Sequence, residues 1–453
     1  MKTMKKILAV TVCLMLLVST GFAAAATEVR RVETAADAEE WIRILLGDHP
    51  EELDETGNLS DAMTAALAPS GGMAGFAKQL AAYGTIVKID PAQEGEMKGY
   101  QLVTVPCIFT GKSLDIVLVA KDGVIEGIQF AGFTGEPLAE EESDTYDSID
   151  LALPYPVLDG ELPGILTVPK GEGPFPVVIL LQGSGASDKD EAFGTHKPFL
   201  DIAEGLAEYG IAVYRFDKPN YVYPEELAVK KDATLKDEYL DDAVAAVQMM
   251  AEQEKIDPER IFVLGHSLGA NAIPAAAREL QDAPVNACGF IMMAASTRRM
   301  DELIREQYDF IFSLMEEVPE ELQAEKEFIF AELDKLQDPD SLTEDDTIMG
   351  TYSAYWKWML DYDILQAAEE ITQPVLLLQG EEDYQVTTED YGVWKEALGN
   401  KENWTMILYP GLTHIFMPGL KTEGSAAYER DGKIQENVIA DIAAFVLETG
   451  ANP

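Results

Sequence analysis

The pentapeptide Gly265-His266-Ser267-Leu268-Gly269 has the composition of a turn that can present a serine hydroxyl for nucleophilic attack. It follows the apolar run Ile261-Phe262-Val263-Leu264 and precedes an alanine-rich stretch, the pattern of a strand feeding a helix. A serine at such a turn occupies a strained backbone, and the flanking glycines remove side chains that would clash there. Its hydroxyl then stands at a helix N-terminus, where the dipole favours developing negative charge. A serine hydroxyl is a poor nucleophile without a base, and on a strand-turn-helix scaffold of this type an acid and then a histidine are expected downstream. The run Leu376-Leu377-Leu378-Gln379 leads into Gly380-Glu381-Glu382-Asp383, which puts Asp383 just after a strand with Glu381 and Glu382 as solvated loop neighbours. Leu408-Tyr409-Pro410-Gly411-Leu412-Thr413-His414 places a base on the loop after the next strand. Of the four histidines, His49 and His196 precede the serine and His266 is locked inside the turn, which leaves His414. Asp383 would fix the imidazole tautomer and stabilise the imidazolium.

The tetrahedral intermediate of acyl transfer needs hydrogen-bond donors for its oxyanion. The N–H of Leu268, directly after the serine, is one candidate. The N–H of Ser184, in the glycine-bearing loop Gln182-Gly183-Ser184-Gly185 after an early strand, is the other. Each such donor is worth about 2.7–4 kcal/mol of transition-state stabilisation. No Cys-x-x-Cys pair, His-Glu-x-x-His motif or Walker loop occurs, so a metal site of the usual His/Cys type is disfavoured and no cofactor is expected.

Elements that could hold these residues follow from residue 156 onward. Strands such as Pro176–Leu181, Ile211–Phe216, Arg260–Leu264, Gly289–Ala294, Pro374–Gln379 and Trp404–Tyr409 alternate with amphipathic helices. That rhythm specifies an α/β domain over residues 156–450, with a mostly parallel sheet covered on both faces and chemistry gathered beyond the carboxyl ends of the strands. Residues 297–372 interrupt it with helical periodicity and the aromatics Tyr352, Tyr355, Trp356, Trp358 and Tyr362. An insertion of that length reads as a helical cap, its aromatics either pinning it to the core or lining a pocket. Residues 33–133 run helices first and strands afterwards, a small α+β domain with no constellation of acids, bases or nucleophiles. Residues 134–155, with Glu140-Glu141-Glu142, read as an acidic linker.

At the front, Lys2, Lys5 and Lys6 precede the apolar run Ile7 to Val18 and the small residues Ala23 to Ala26. Residues 1–26 therefore read as a secretory signal peptide and the protein as secreted or extracytoplasmic; an uncleaved anchor is the alternative. The 453 residues carry 33 Lys+Arg against 81 Asp+Glu, a formal net charge of -48. Such an excess repels phosphate backbones and anionic lipid headgroups, and no basic patch offsets it, so neither nucleic acid nor, after leader cleavage, a membrane is an expected partner. The charge also disfavours anionic substrates. Cys107 and Cys288 sit far apart in strand-like stretches and read as buried thiols. Nothing in the sequence sets an oligomeric state.

Residues from about 164 to 445 resemble the α/β-hydrolases, and within them the secreted bacterial esterase group related to dienelactone hydrolases. The stretches that carry the resemblance are Gln182-Gly183-Ser184-Gly185 with Asp188-Lys189-Asp190-Glu191, Lys197-Pro198-Phe199, Gly265–Gly269, Tyr355-Trp356, Tyr362-Asp363, Gln379–Val386 and Tyr409–His414. The resemblance implies hydrolysis of small-molecule carboxylic esters and carries the catalytic roles onto Ser267, Asp383 and His414. It also implies that the front domain is the cone-shaped α+β domain of unknown function that often precedes such hydrolases. One departure stands out: the family usually begins its early loop with His-Gly-Ser-Gly-Pro, where this chain has Gln182 and Ala186 at the first and last positions. The same triad also serves peptidases, thioesterases and acyltransferases, and a binding role for the front domain is the reading from another class.

Overall fold

A computed structural model describes residues 31–449, apart from 48, 55–57, 69–70, 81–82, 84–85, 98, 110–112, 132–142, 194, 316 and 431. The leader at 1–26 and the first part of the linker, 134–142, lie outside the described residues. The chain divides into two compact units whose main boundary falls between Glu141 and Glu142.

The front unit sets helices Ala35–Leu45, Asp61–Leu67 and Gly72–Leu80 against an antiparallel sheet. Thr34 caps the first helix reciprocally with Asp37, and Ala38, Trp41, Ile42 and Leu45 line its buried stripe at helical spacing. That stripe shares a core with Val103, Val105 and Cys107 of strand Tyr100–Phe109 and with Ile116 and Leu118 of strand Ser113–Lys121. Asp122 and Gly123, both at positive φ, turn the latter strand into Val124–Ala131. Strand Gln93–Met97 was not expected from the sequence. All five of its residues are exposed, so backbone pairing with Tyr100–Phe109 orders it and no apolar alternation marks it.

The second unit is built on eight strands: β1 (Tyr146–Asp150), β2 (Gly164–Pro169), β3 (Phe175–Leu181), β4 (Ala212–Phe216), β5 (Ile256–His266), β6 (Gly289–Met293), β7 (Val375–Gly380) and β8 (Trp404–Tyr409). Their order across the sheet is β8-β7-β6-β5-β3-β4-β2-β1, parallel from β8 to β4 and antiparallel at β2 and β1. Because side chains alternate along a strand, each central strand feeds two cores. On one face Val177, Ile179, Val263, Met292 and Leu377 lie under helices α2 (Asp241–Ala251) and α3 (Leu268–Gln281). On the other, Val178, Leu180, Phe262, Leu264 and Ile291 meet helix α1 (Pro198–Glu208) and a C-terminal helix, Glu436–Glu448. The expected doubly covered parallel sheet is therefore present.

Two features differ from expectation. The stretch 143–155, read as the end of a linker, belongs to the second unit: β1 adds an antiparallel edge strand to β2, and Leu153 and Tyr155 are buried in that unit's core. Four of the five β1 side chains are exposed, so its acidic, polar sequence carries no burial signal. The interruption between β6 and β7 is mainly helical, with α4 (Met300–Ser313), α5 (Glu320–Asp334), α6 (Ser353–Asp361) and α7 (Ile364–Glu369), but also holds a short hairpin, Thr347–Ile348 with Thr351–Tyr352. The cap has its own small core of Leu333, Leu336, Ile348 and Trp356. Two of its aromatics pin it to the sheet domain, Tyr362 donating to Asn271 O at 3.0 Å and Tyr355 to Glu238 at 2.6 Å, while the Trp356 indole N–H donates within the cap to Ile348 O at 3.0 Å.

Phe262 is fully buried at the centre of β5 and meets the Phe445 ring edge-on at 6.0 Å. Phe262→Ala should lower the free energy of unfolding by about 3–5 kcal/mol through the cavity it leaves. Urea denaturation followed by tryptophan fluorescence should show the midpoint fall; an unchanged midpoint would mean the sheet is not packed this way.

Candidate active site

β5 ends at His266 and α3 begins at Leu268, so a single residue makes the turn between them. Ser267 has φ 52° and ψ −118°, a conformation that costs a non-glycine residue roughly 1–3 kcal/mol. The turn is that sharp because the chain passes very close to itself: a Cβ on Gly269 would sit 2.2 Å from the Leu181 carbonyl oxygen, and one on Gly265 would sit 2.3 Å from the Gly269 oxygen. The serine is held from both sides, its N–H donating to Met293 O at 2.8 Å and its carbonyl accepting from Asn271 N at 3.0 Å.

Asp383 follows β7 and is almost fully buried. Its Oδ1 accepts from the N–H groups of Gln385 and Val386 at 2.8 and 3.0 Å, and its Oδ2 accepts from the Gln379 amide at 3.1 Å and contacts His414 Nδ1 at 2.7 Å. The carboxylate is thus fixed by three protein donors before the imidazole is counted. His414 lies on the loop after β8, which is stitched to the acid loop by Glu382 N donating to Leu412 O and to itself by Thr413 N donating to Met417 O, both at 2.9 Å. Its ring packs against His266, centroids 4.7 Å apart, so the base loop lies alongside the elbow.

The loop after β3 closes on the same place. Gly183 lies tight against the nucleophile, since an added Cβ would come within 3.3 Å of the Ser267 Cβ. Among the described residues the N–H groups of Ser184 and Leu268 have no hydrogen-bond partner, whereas that of Gly183 donates to Glu191 Oε1 at 2.5 Å. Gln182, in the place of the family's histidine, turns its amide inward to the Phe216 and Asp188 carbonyls and ties the loop to the end of β4.

Lys218 completes this support. Its side chain is 1% exposed, and its ammonium donates to Gly183 O at 2.7 Å, Gly185 O at 3.0 Å and the Tyr239 hydroxyl at 2.5 Å, while pairing with Glu238 at 2.7 Å. Tyr239 also donates to Gly183 O at 2.8 Å, and Tyr355 of the cap donates to the second oxygen of Glu238. Burial draws the Lys218 pKa below its ordinary value, and Glu238 opposes that pull. Beneath the same loop, buried Arg215 donates to Asp190 at 2.8 Å and to Thr167 at 2.9 Å.

The structure therefore brings Asp383 and His414 into contact, puts Ser267 on the strained turn beside them, and closes the Gln182–Gly185 loop onto Ser267. Lys218 and Glu238 were not singled out from the sequence, and Glu191 entered only within the Asp188–Glu191 stretch of the resemblance, with no role attached. A signal for Lys218 existed: Asp217-Lys218 directly follows the buried strand β4, at the carboxyl edge where such sheets gather their chemistry.

A doubly covered sheet with a strained serine turn after its central strand defines an α/β-hydrolase. A sequence-family profile described as serine aminopeptidase, S33, matches residues 195–418. The esterase EstD of Thermotoga maritima is 31% identical over 338 residues, spanning 75% of this chain and 77% of that protein. The 2,6-dihydropseudooxynicotine hydrolase of Paenarthrobacter nicotinovorans is 35% identical over 125 residues, 27% of this chain and 30% of that one. Among solved structures, Est1E from Butyrivibrio proteoclasticus aligns with a TM-score of 0.44 at 19% identity, covering 67% of this chain and 99% of its own. With a relative of that identity matched over most of its length, the chain belongs to the α/β-hydrolase family of carboxylic ester hydrolases.

Removing one member of a buried ion pair leaves the other uncompensated, at about 3–5 kcal/mol. Lys218→Met should cost about that much in urea unfolding, and the double variant Lys218→Met/Glu238→Gln should regain part of it. Equal stability of the wild type and Lys218→Met would show that the pair does not hold the loop.

Proposed function

We propose that the protein is an extracytoplasmic serine carboxylesterase that hydrolyses small-molecule esters through an acyl-enzyme on Ser267. In this reading His414 takes the Ser267 proton as the oxygen attacks the ester carbonyl, and Asp383 steadies the imidazolium that forms. The oxyanion meets the N–H groups of Ser184 and Leu268. His414 then returns the proton to the departing alcohol, and water, activated by the same imidazole, releases the acid and regenerates the serine.

The observation that carries the reading is the buried 2.7 Å contact between Asp383 and His414, on a base loop packed against an elbow whose serine is held at φ 52°. The free N–H groups on both sides of Ser267 and the similarity to an esterase support it as well. The extracytoplasmic location rests on the basic, apolar and small-residue succession in residues 1–26.

Purified protein lacking residues 1–26 should turn over p-nitrophenyl esters of graded chain length, and Ser267→Ala should lose on the order of 10⁴–10⁶ in rate. A variant as active as the wild type would remove Ser267 from the mechanism, and faster cleavage of aminoacyl-anilides than of every ester would favour a peptidase. Because the chain carries a net charge of -48, a neutral ester should also be cleaved faster than its carboxylate-bearing analogue at low salt. That gap should narrow as salt is added; the reverse preference would separate the overall charge from substrate choice.

A further inference from the structure

His266 occupies the variable position of the elbow and takes no part in the proton transfers described above, yet it is buried and both of its ring nitrogens are engaged. Nε2 lies 3.0 Å from the His414 carbonyl oxygen, which can only accept, so Nε2 carries a proton. Nδ1 lies 3.0 Å from Glu191 Oε1, which accepts the Gly183 N–H and, as a carboxylate oxygen, can only accept from the ring as well. The other oxygen of Glu191, Oε2, is buried with no hydrogen-bond partner, so the carboxylate has its direct contacts through Oε1 alone. An imidazole between two acceptors donates from both nitrogens only when it is an imidazolium.

We infer that Glu191 and His266 form a standing carboxylate–imidazolium pair that positions two loops of the esterase site, the Gly183–Ser184 loop and the His414 loop, on either side of the nucleophile. The inference rests on the functional reading given above. One line of charge-assisted bonds runs from the Gly183 N–H through Glu191 and His266 to the backbone of His414, which lies 148 positions beyond His266, and so ties the loops on both sides of the elbow to the residue next to Ser267. Both residues are positioning residues: neither is placed to touch the reacting atoms; His266 acts through the backbone of His414, and Glu191 through Gly183, the residue before the oxyanion donor Ser184.

The surroundings favour the charged pair. Burial alone would strip the proton from His266, but the Glu191 carboxylate and its hydrogen bond, the His414 carbonyl and the nearby Asp383 outweigh it and hold its pKa above the ordinary imidazole value. Lys218 also faces Glu191 across the same loop. A histidine whose pKa is raised by folding adds stability that is complete below its unfolded value of about 6.5 and is lost as pH rises through the folded value. The clamp should therefore hold at neutral pH and loosen on the alkaline side.

The test combines protonation and rate. In full-length mature protein labelled with ¹⁵N-histidine, the ring assigned by comparison with His266→Asn should show two protonated nitrogens at pH 8, where an unperturbed imidazole is neutral. In Glu191→Gln, which keeps the side-chain shape, the same ring should be singly protonated at pH 8, and kcat on a p-nitrophenyl ester should fall about 10²-fold with KM within about threefold, the size of loss that sub-ångström misplacement of catalytic groups causes. A singly protonated His266 in the wild type at pH 8 overturns the inference whatever the activity, because that reading needs no substrate. A Glu191→Gln variant within twofold of wild-type kcat overturns it as well. If Glu191→Gln does not fold, the wild-type protonation state alone decides.

Discussion

The close passage of the chain after β5 against the carbonyls of Leu181 and Gln182 is the constraint on which the rest of the site depends. A backbone that must clear those oxygens by the thickness of a hydrogen tolerates no side chain at Gly269, and the reversal before it tolerates none at Gly265. Ser267 is left between them at positive φ, on the residue that joins the central strand to α3. Such strain persists only when its surroundings over-determine it. Here the buried strands β3, β5 and β6, with Met293 accepting the serine N–H, supply that rigidity.

Around this point the molecule uses buried charge to hold backbone. Lys218 gathers the carbonyls of Gly183 and Gly185, Glu191 takes the Gly183 N–H, and His266 reaches the carbonyl of His414. Each of these groups would be costly to bury alone, and each is offset by a partner at hydrogen-bond distance. Loops of irregular backbone have few of their own hydrogen bonds, so side chains with charge are an effective way to fix them. The arrangement also bears on the departure at Gln182 and Ala186. The loop loses the histidine and proline usual in the family, while Gln182 bonds to β4 and Lys218 grips it from beneath. Through Glu238 and Tyr355 the same grip extends to the cap.

Much of this was legible in the sequence where the cause is local or periodic. The elbow glycines, the strand before Ser267, and acids and bases placed just past apolar runs are short-range patterns, and the contact between Asp383 and His414 follows from their order along the sheet. What was not legible has physical reasons. Strand β1 and the strand Gln93–Met97 expose nearly all their side chains, so only backbone pairing orders them, and pairing leaves no trace in residue type. Lys218, Glu191 and Glu238 matter through partners far away in the chain, the carbonyl of Gly183 being 35 positions from Lys218. In isolation each reads as one more charged residue in a chain with a large acidic excess. The cap aromatics allowed either a pin or a pocket wall, and only the bonds of Tyr355 to Glu238 and of Tyr362 to Asn271 choose the first for those two, Trp356 bonding within the cap.

The central claim is that the strain at Ser267 exists to present a nucleophile. Peptide mapping by mass spectrometry after exposure to a fluorophosphonate tests it directly, because that reagent is captured by a serine activated through an adjacent base. One adduct per chain, on the peptide bearing Ser267 and absent when His414 is replaced by glutamine, is the result expected. A wild-type protein that takes no adduct, or takes it on a different serine, would contradict it.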